Sequence, residues 1–154
     1  MNQAPKYGLV DKDFSLLEMA YPVTYQRFMD LYKKVGEAYG WTDRLYLEEA
    51  ALEALINHKD THLYLLMVNG KEVGFTEMRL YKDFVELQYF GLFTTEIGQG
   101  FGPPLLQLSI EKAWSWGKAS LHLNTCDLDH PKALGLYKKM GFEEVRRETK
   151  IRTF

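Results

Sequence analysis

The segment Gly98-Gln99-Gly100-Phe101-Gly102 places three glycines in five residues, between an apolar run and a stretch with helical periodicity. Glycine lets a backbone approach a ligand closely, and amide N–H groups gathered at a helix start can converge on one anion. A pyrophosphate suits such a cradle; an ordinary tight turn is the plainer reading. Two well-known cradles are excluded by the letters. A Walker loop ends in Gly-Lys-Ser/Thr, whereas Gly102 is followed by Pro103-Pro104. A Rossmann turn belongs among alternating parallel strands, and a hairpin precedes this loop. Prolines have no N–H, so any cradle must rest on residues 98–102.

Other reactive side chains are sparse. Cys126 has His130 four residues on, enough for a nucleophile and its base only if the fold brings them together. Asp129 reads as the N-cap of the helix that follows. His122 alternates with Leu121 and Leu123 and reads as a surface or structural residue. No spacing of His and carboxylates supports a metal site. Tyr137 stands at helical spacing from Ala133 and Met140, which by itself describes a core tyrosine. Glu86 lies early in an apolar strand, placed by alternation on the face of Gln88 and Phe90; by itself it reads as a solvated strand-end carboxylate.

The 154 residues are 46% hydrophobic and 26% charged, which fits one globular domain spanning 1–154. A net charge of −2 gives no general affinity for nucleic acid, whose backbone demands clustered Lys and Arg. One cysteine excludes an intrachain disulfide framework and fits a reducing compartment. Without a charged-then-apolar leader or an apolar run of about 18 residues, the chain is expected to be soluble and cytoplasmic, with no membrane partner.

The elements that must position these residues follow from periodicity. Lys12–Ala20 reads as a strand, closed by Pro22. Tyr25, Phe28, Met29, Tyr32, Val35, Gly36 and Tyr39 form one apolar stripe of a helix over 24–39, ended by Gly40. A second helix is expected over Leu45–Asn57, with Glu48, Glu49 and Glu53 on its wet side. Strands His62–Val68 and Lys71–Tyr81 flank Asn69-Gly70, a type I′ hairpin signal. Phe84–Phe93 reads as a third, central strand. Helix 103–116, strand 119–125, helix 129–140 and strand 142–152 complete the order β-α-α-β-β-β-α-β-α-β. This is an α/β fold with a mixed sheet, and the passage from Phe84 to Thr125 should be a parallel crossover.

With the elements in this order, the letters resemble the GNAT acetyltransferases. The superfamily's loop reads Gln/Arg-x-x-Gly-x-Gly/Ala, and the chain gives Ile97-Gly98-Gln99-Gly100-Phe101-Gly102, with Ile97 in place of the polar opener. Near the C-terminus, Asn-x-x-Ala-x-x-x-Tyr-x-x-x-Gly-Phe is matched by His130, Ala133, Tyr137, Gly141 and Phe142, with His130 in place of Asn. The element order agrees over roughly residues 12–152. The stretches from Leu31 to Arg44 and from Thr125 to Pro131 look like a poorly characterised bacterial-type branch.

The resemblance implies direct attack of an amine, on a small molecule or a protein, at the thioester of acetyl-CoA, without a metal. Leu92 and Phe93 would offer backbone groups to the pantetheine, where the family's central strand splays. An N–H near Gly91 or Leu92 would face the thioester oxygen. Gly98, Gln99, Gly100, Phe101 and Gly102 would hold the pyrophosphate, and His130 would take over the hydrogen bond of the usual Asn. Tyr137 would act at the leaving thiolate. A tyrosine titrates at ~10 and a thiol at ~8.5, so full proton transfer is uphill by about 2 kcal/mol and a hydrogen bond suffices. Glu86 would be the base, acting through water. Tyr21, Tyr25, Trp41, Asp43 and Arg44 would border the acceptor pocket. A non-catalytic acyl-CoA-binding module, which needs the glycine loop but neither Tyr137 nor Glu86, stays open beside the enzyme. Many relatives add a seventh strand; without it an open sheet edge is a liability, and a second subunit over that edge, giving a homodimer, is expected.

Overall fold

The computed structural model describes residues 1–36, 41, 44–123 and 133–142. Its elements are β1 (Phe14–Glu18), α1 (Tyr25–Gly36), α2 (Glu49–Ile56), β2 (Thr61–Val68), β3 (Lys71–Leu80), β4 (Phe84–Leu92), a 3-10 turn (Thr94–Glu96), α3 (Gly102–Trp114), β5 (Ser120–Leu123) and α4 (Ala133–Lys139). The anticipated order holds through α4; the strand expected over 142–152 lies outside the described residues beyond Phe142, as does the Gly40 cap. The sheet order is β1-β2-β3-β4-β5. The first four strands are antiparallel and β4 pairs with β5 in parallel, so the expected meander also includes β1. Asn69 (φ 51°) and Gly70 (φ 79°) make the β2–β3 turn.

Two layers cover the sheet. Phe28, Leu31, Tyr32 and Val35 of α1 and Leu52 and Ile56 of α2 pack on Leu63, Leu65 and Phe75 of one face. Leu106, Ile110 and Ala113 of α3, with Tyr137 of α4, pack on Met78, Val85 and Leu87 of the other. The helix α1 opens at Tyr25 because Thr24 caps it: its Oγ1 accepts the Arg27 N–H at 3.1 Å. Glu53, expected on the wet side of α2, instead accepts the Tyr25 N–H at 3.2 Å. Asn57 exchanges hydrogen bonds with the Val23 backbone (2.7 and 2.9 Å), so the end of α2 fixes the start of α1. The helix α2 begins four residues later than its periodicity suggests. Glu48, in extended conformation, is its N-cap, and Arg44 at the head of the preceding turn is held elsewhere.

The layer of α1 lies unusually close to β4. A Cβ on Gly91 would sit 2.2 Å from Val35 Cγ1, and one on Gly36 would sit 2.4 Å from Trp41 Cβ. On the opposite edge, Met1 caps β5 by exchanging backbone hydrogen bonds with Leu121 (2.8 and 2.9 Å). Among the described residues no helix is long and apolar enough to cross a membrane.

The Gly91–Val35 contact predicts that Gly91→Ala lowers stability by about 1–3 kcal/mol through overpacking. Adding Val35→Ala should recover part of that loss. Urea unfolding of the single and double variants measures it; additive losses would show that the two sites are not in contact.

Candidate functional site

Both edges of β4 matter. Its β3 edge is paired from Leu80–Val85 to Gly74–Leu92. The described pairing with β5 runs only from Phe84–Ser120 to Leu87–Leu123. Beyond Leu87 the backbone direction can be followed from single bonds. Phe93 donates its N–H to Val73 O at 2.8 Å, and the Tyr89 carbonyl accepts from Thr76 Oγ1 at 2.9 Å, both toward β3. Strand alternation then turns the amides of Phe90 and Leu92 away from β3, to the β5 side. Of the two amides anticipated at the thioester, Leu92 has this direction and Gly91 does not.

From Leu92 the chain makes its 3-10 turn and enters the glycine loop. Gly98 (φ 88°) and Gly100 (φ 79°) adopt the left-handed conformation that side chains disfavour, and a Cβ on either would meet nothing within 4 Å. The loop is tied back by Glu96, which is 7% exposed. Glu96 Oε1 accepts from Lys71 Nζ at 2.6 Å and Oε2 from Gln99 Nε2 at 3.2 Å. The Gln99 side-chain amide is therefore tied to Glu96. The N-cap of α3, Phe101, gives no side-chain cap to the helix, and prolines fill the first turn. The Phe101 ring packs edge-on against Phe14 and joins the cluster that contains Leu92. Glu96 was not singled out from the letters; an acid three residues before a glutamine is no signal until the loop is folded.

The expected residues gather in part. Gly102 approaches Leu136 of α4, whose Cδ2 would be 3.8 Å from a Cβ there. This packing sets α4 beside the start of α3. Tyr137, 6% exposed, lies in the cluster with Leu106, Phe142 and, at its margin, Phe90. Phe93 is buried on the α1 side with Lys34 over its ring, and its amide is taken by Val73. His130, Cys126, Asp129 and Asp43 lie outside the described residues.

Glu86 is half-buried, opposite Arg79 on β3 and beside His122 on β5. Its neighbours Val85 and Leu87 pack under α3, so Glu86 projects to the other face, away from Tyr137. The expected shared face with Phe90 does not hold. Met78 pairs with Leu87 and Glu77 with Tyr89, leaving Gln88 unpaired in a β-bulge. The extra residue moves Tyr89 to the α1 side and Phe90 to the α3 side.

The acceptor border anticipated near Tyr21, Tyr25, Trp41 and Arg44 is built differently. Tyr21 is tied by its hydroxyl to Thr61 O (2.8 Å) and the Leu63 N–H (3.4 Å), at the β2 start. Trp41 and Arg44 instead meet Tyr89. The indole ring lies 5.3 Å from the Tyr89 ring, and its buried Nε1 has no hydrogen-bond partner among the described residues. Arg44 forms a bidentate ion pair with Glu77, at 3.1 and 2.8 Å, with Glu77 fully buried. Burial pulls the Arg44 pKa down, and the adjacent Glu77 charge and hydrogen bond outweigh it, raising the guanidinium above its ordinary value. Glu77 was missed because an isolated acid in a strand reads as a solvated one.

The structure therefore runs an extended strand into a turn with left-handed glycines and a helix start without a side-chain cap. Among the described residues no group of three or more His, Cys, Asp or Glu could hold a metal ion. The model of the GNAT acetyltransferase family matches residues 24–142, and the chain belongs to that family. Its fold is shared with an aminoglycoside acetyltransferase from an uncultured soil metagenomic sample, solved with trehalose (14% identity, TM-score 0.66, covering 94% of this chain and 96% of that one). A GNAT family acetyltransferase from Elizabethkingia anophelis, solved with acetyl-CoA bound, is 19% identical with a TM-score of 0.63, covering 86% and 78%. A ribosomal-protein-alanine N-acetyltransferase from Brucella melitensis biovar Abortus 2308 is 16% identical with a TM-score of 0.63, covering 91% and 99%. Comparison with curated proteins returned no match.

The buried ion pair gives a stability prediction. Glu77→Leu alone leaves an uncompensated guanidinium and should cost about 3–5 kcal/mol, whereas Arg44→Met with Glu77→Met should recover most of that loss. Equal losses in the single and double variants, measured by urea unfolding, would contradict it.

Proposed function

We propose that the protein is an acetyl-CoA-dependent N-acetyltransferase that acetylates a primary amine of a small molecule or a protein. The observation that carries this reading is continuity. The edge of β4 that faces away from β3 leads, through one 3-10 turn, into left-handed glycines and a helix start without a side-chain cap. When bound, acetyl-CoA supplies the acetyl group as a thioester. The Phe90 and Leu92 amides would hold its extended arm, Leu92 nearest the thioester oxygen. The Gly98–Gly102 amides, aided by the α3 dipole, would hold the pyrophosphate. Phe93, with its amide committed to Val73 and its ring buried, serves as the anchor that sets Leu92. His130 keeps its proposed hydrogen bond in place of the family's Asn.

Tyr137 would donate a hydrogen bond to the departing sulfur from the α3 side of the sheet. Glu86 would take the amine proton through water from the other side, where Trp41, Arg44 and Tyr89 border the acceptor. The structural relatives include an aminoglycoside acetyltransferase and a ribosomal-protein-alanine N-acetyltransferase, and both small-molecule and protein acceptors remain in the proposal. A reducing, cytoplasmic setting goes with the single Cys126. A homodimer belongs to the same reading, and a monomer by sedimentation at micromolar concentration would remove it.

Calorimetric titration with acetyl-CoA tests the site. Wild type should bind; Gly100→Glu, which puts charge and bulk into the cradle, should not, while Gly100→Ala reports the strain of the left-handed position alone. Absence of binding by folded wild type would refute the reading. With an amine panel, Tyr137→Phe should lower kcat by about 10²-fold while leaving acetyl-CoA affinity nearly unchanged. An unaltered kcat would remove Tyr137 from the chemistry.

A further inference from the structure

The bulge at Gln88 falls at the residue following Leu87, the last one whose pairing with β5 is described. A bulge bends its strand and increases local twist, so its placement sets the direction of β4 from Tyr89 onward. Three contacts converge on it from outside the strand. Arg44 Nη2 donates to Gln88 Oε1 at 3.4 Å, the Arg44 guanidinium lies 4.9 Å from the centre of the Tyr89 ring, and Thr76 Oγ1 donates to the Tyr89 carbonyl at 2.9 Å. Arg44 is in turn held by both carboxylate oxygens of Glu77, the residue paired with Tyr89 across the bulge. The Arg44 backbone N–H donates to the Tyr32 hydroxyl at 3.3 Å, which brings α1 into the same junction.

Stability gives little reason for such a pair. An ion pair this deeply buried loses about as much in desolvation as it gains in attraction, and apolar residues of similar volume do as well. What apolar residues lack is direction. The guanidinium is a planar fork whose donors fix the angle between the groups they bind. Here those groups are a β3 carboxylate and a β4 bulge side chain.

We propose that the Arg44–Glu77 pair is a positioning unit that fixes the bulge at Gln88 and so sets the course of β4 over Tyr89 to Leu92, whose Phe90 and Leu92 amides hold the acyl-CoA arm. This rests on the acetyl-CoA reading above. The pair touches neither the reacting atoms nor the arm; it acts through Gln88 and Tyr89 on the amides of Phe90 and Leu92.

The test compares wild type with the double variant Arg44→Met, Glu77→Met. Three quantities are measured: urea stability, acetyl-CoA Kd by calorimetry, and the ligand-free amide resonances of Tyr89 to Leu92. The pair as positioning unit predicts a double variant that folds with near-native stability, binds acetyl-CoA at least about tenfold more weakly, an amount equal to ~1.4 kcal/mol, and shows displaced Phe90 and Leu92 amides before ligand is added. A double variant with wild-type affinity and unmoved amides overturns the proposal. If wild type itself does not bind acetyl-CoA, the functional reading fails, and the ligand-free amide positions still decide whether the pair sets the bulge. Should the double variant not fold, Gln88→Ala carries the test, since it cuts the tether and leaves the ion pair intact. Weaker binding with displaced amides supports the proposal, and unchanged values of both overturn it.

Discussion

The two edges of β4 carry unequal obligations. One is bonded to β3 along nearly its whole length; the other is bonded to β5 only as far as Leu87 in the described structure. A backbone amide is an obligatory hydrogen-bonding group, so the amides that turn away from β3 after Leu87 must find water, chain or ligand. The rest of the architecture sets where those amides lie. The crossover through α3 returns β5 beside the first half of β4, and the 3-10 turn carries the second half directly into the glycine loop.

The two faces of the sheet divide the remaining work. Below, α3 and α4 pack so that Leu136 abuts the start of α3 and Tyr137 is buried in the cluster that Phe90 borders. Above, α1 is drawn against Gly91 and delivers Trp41 and Arg44 to Tyr89. The proposed donor of a hydrogen bond and the proposed acceptor of a proton therefore stand on opposite faces, and they can cooperate only past the edge of β4 that faces away from β3. Glu96 holds the loop to the β3 strand, and the Arg44–Glu77 pair holds the bulge. Both are buried acids whose partners come from distant parts of the chain.

Local chemistry was legible in the letters. Apolar periodicity marked α1, α3 and the meander, Asn69-Gly70 marked the hairpin, and the glycine spacing marked a turn in which Gly98 and Gly100 are left-handed. Features that depend on long-range pairing were not legible. The bulge at Gln88 leaves no trace in composition, and one extra residue reversed the face assigned to Phe90. Glu77 and Arg44 are 33 residues apart, and nothing in either neighbourhood announces the other. The α2 boundary failed for the same reason, because the hydrophobic pattern continues through Leu45 and Leu47 while the Arg44 side chain is held by β3. The second GNAT motif stood out by its spacing, yet the position where His130 replaces Asn falls outside the described residues.

The central claim is that one continuous line of amides, from the edge of β4 that faces away from β3 to the start of α3, holds an acyl-CoA. The most direct measurement is the amide spectrum of the labelled protein during titration with acetyl-CoA. The account predicts saturable shifts concentrated at Phe90, Leu92 and Gly98 to Gly102, with the β1 edge of the sheet unmoved. Saturable shifts that cluster elsewhere, leaving those amides in place, would contradict it.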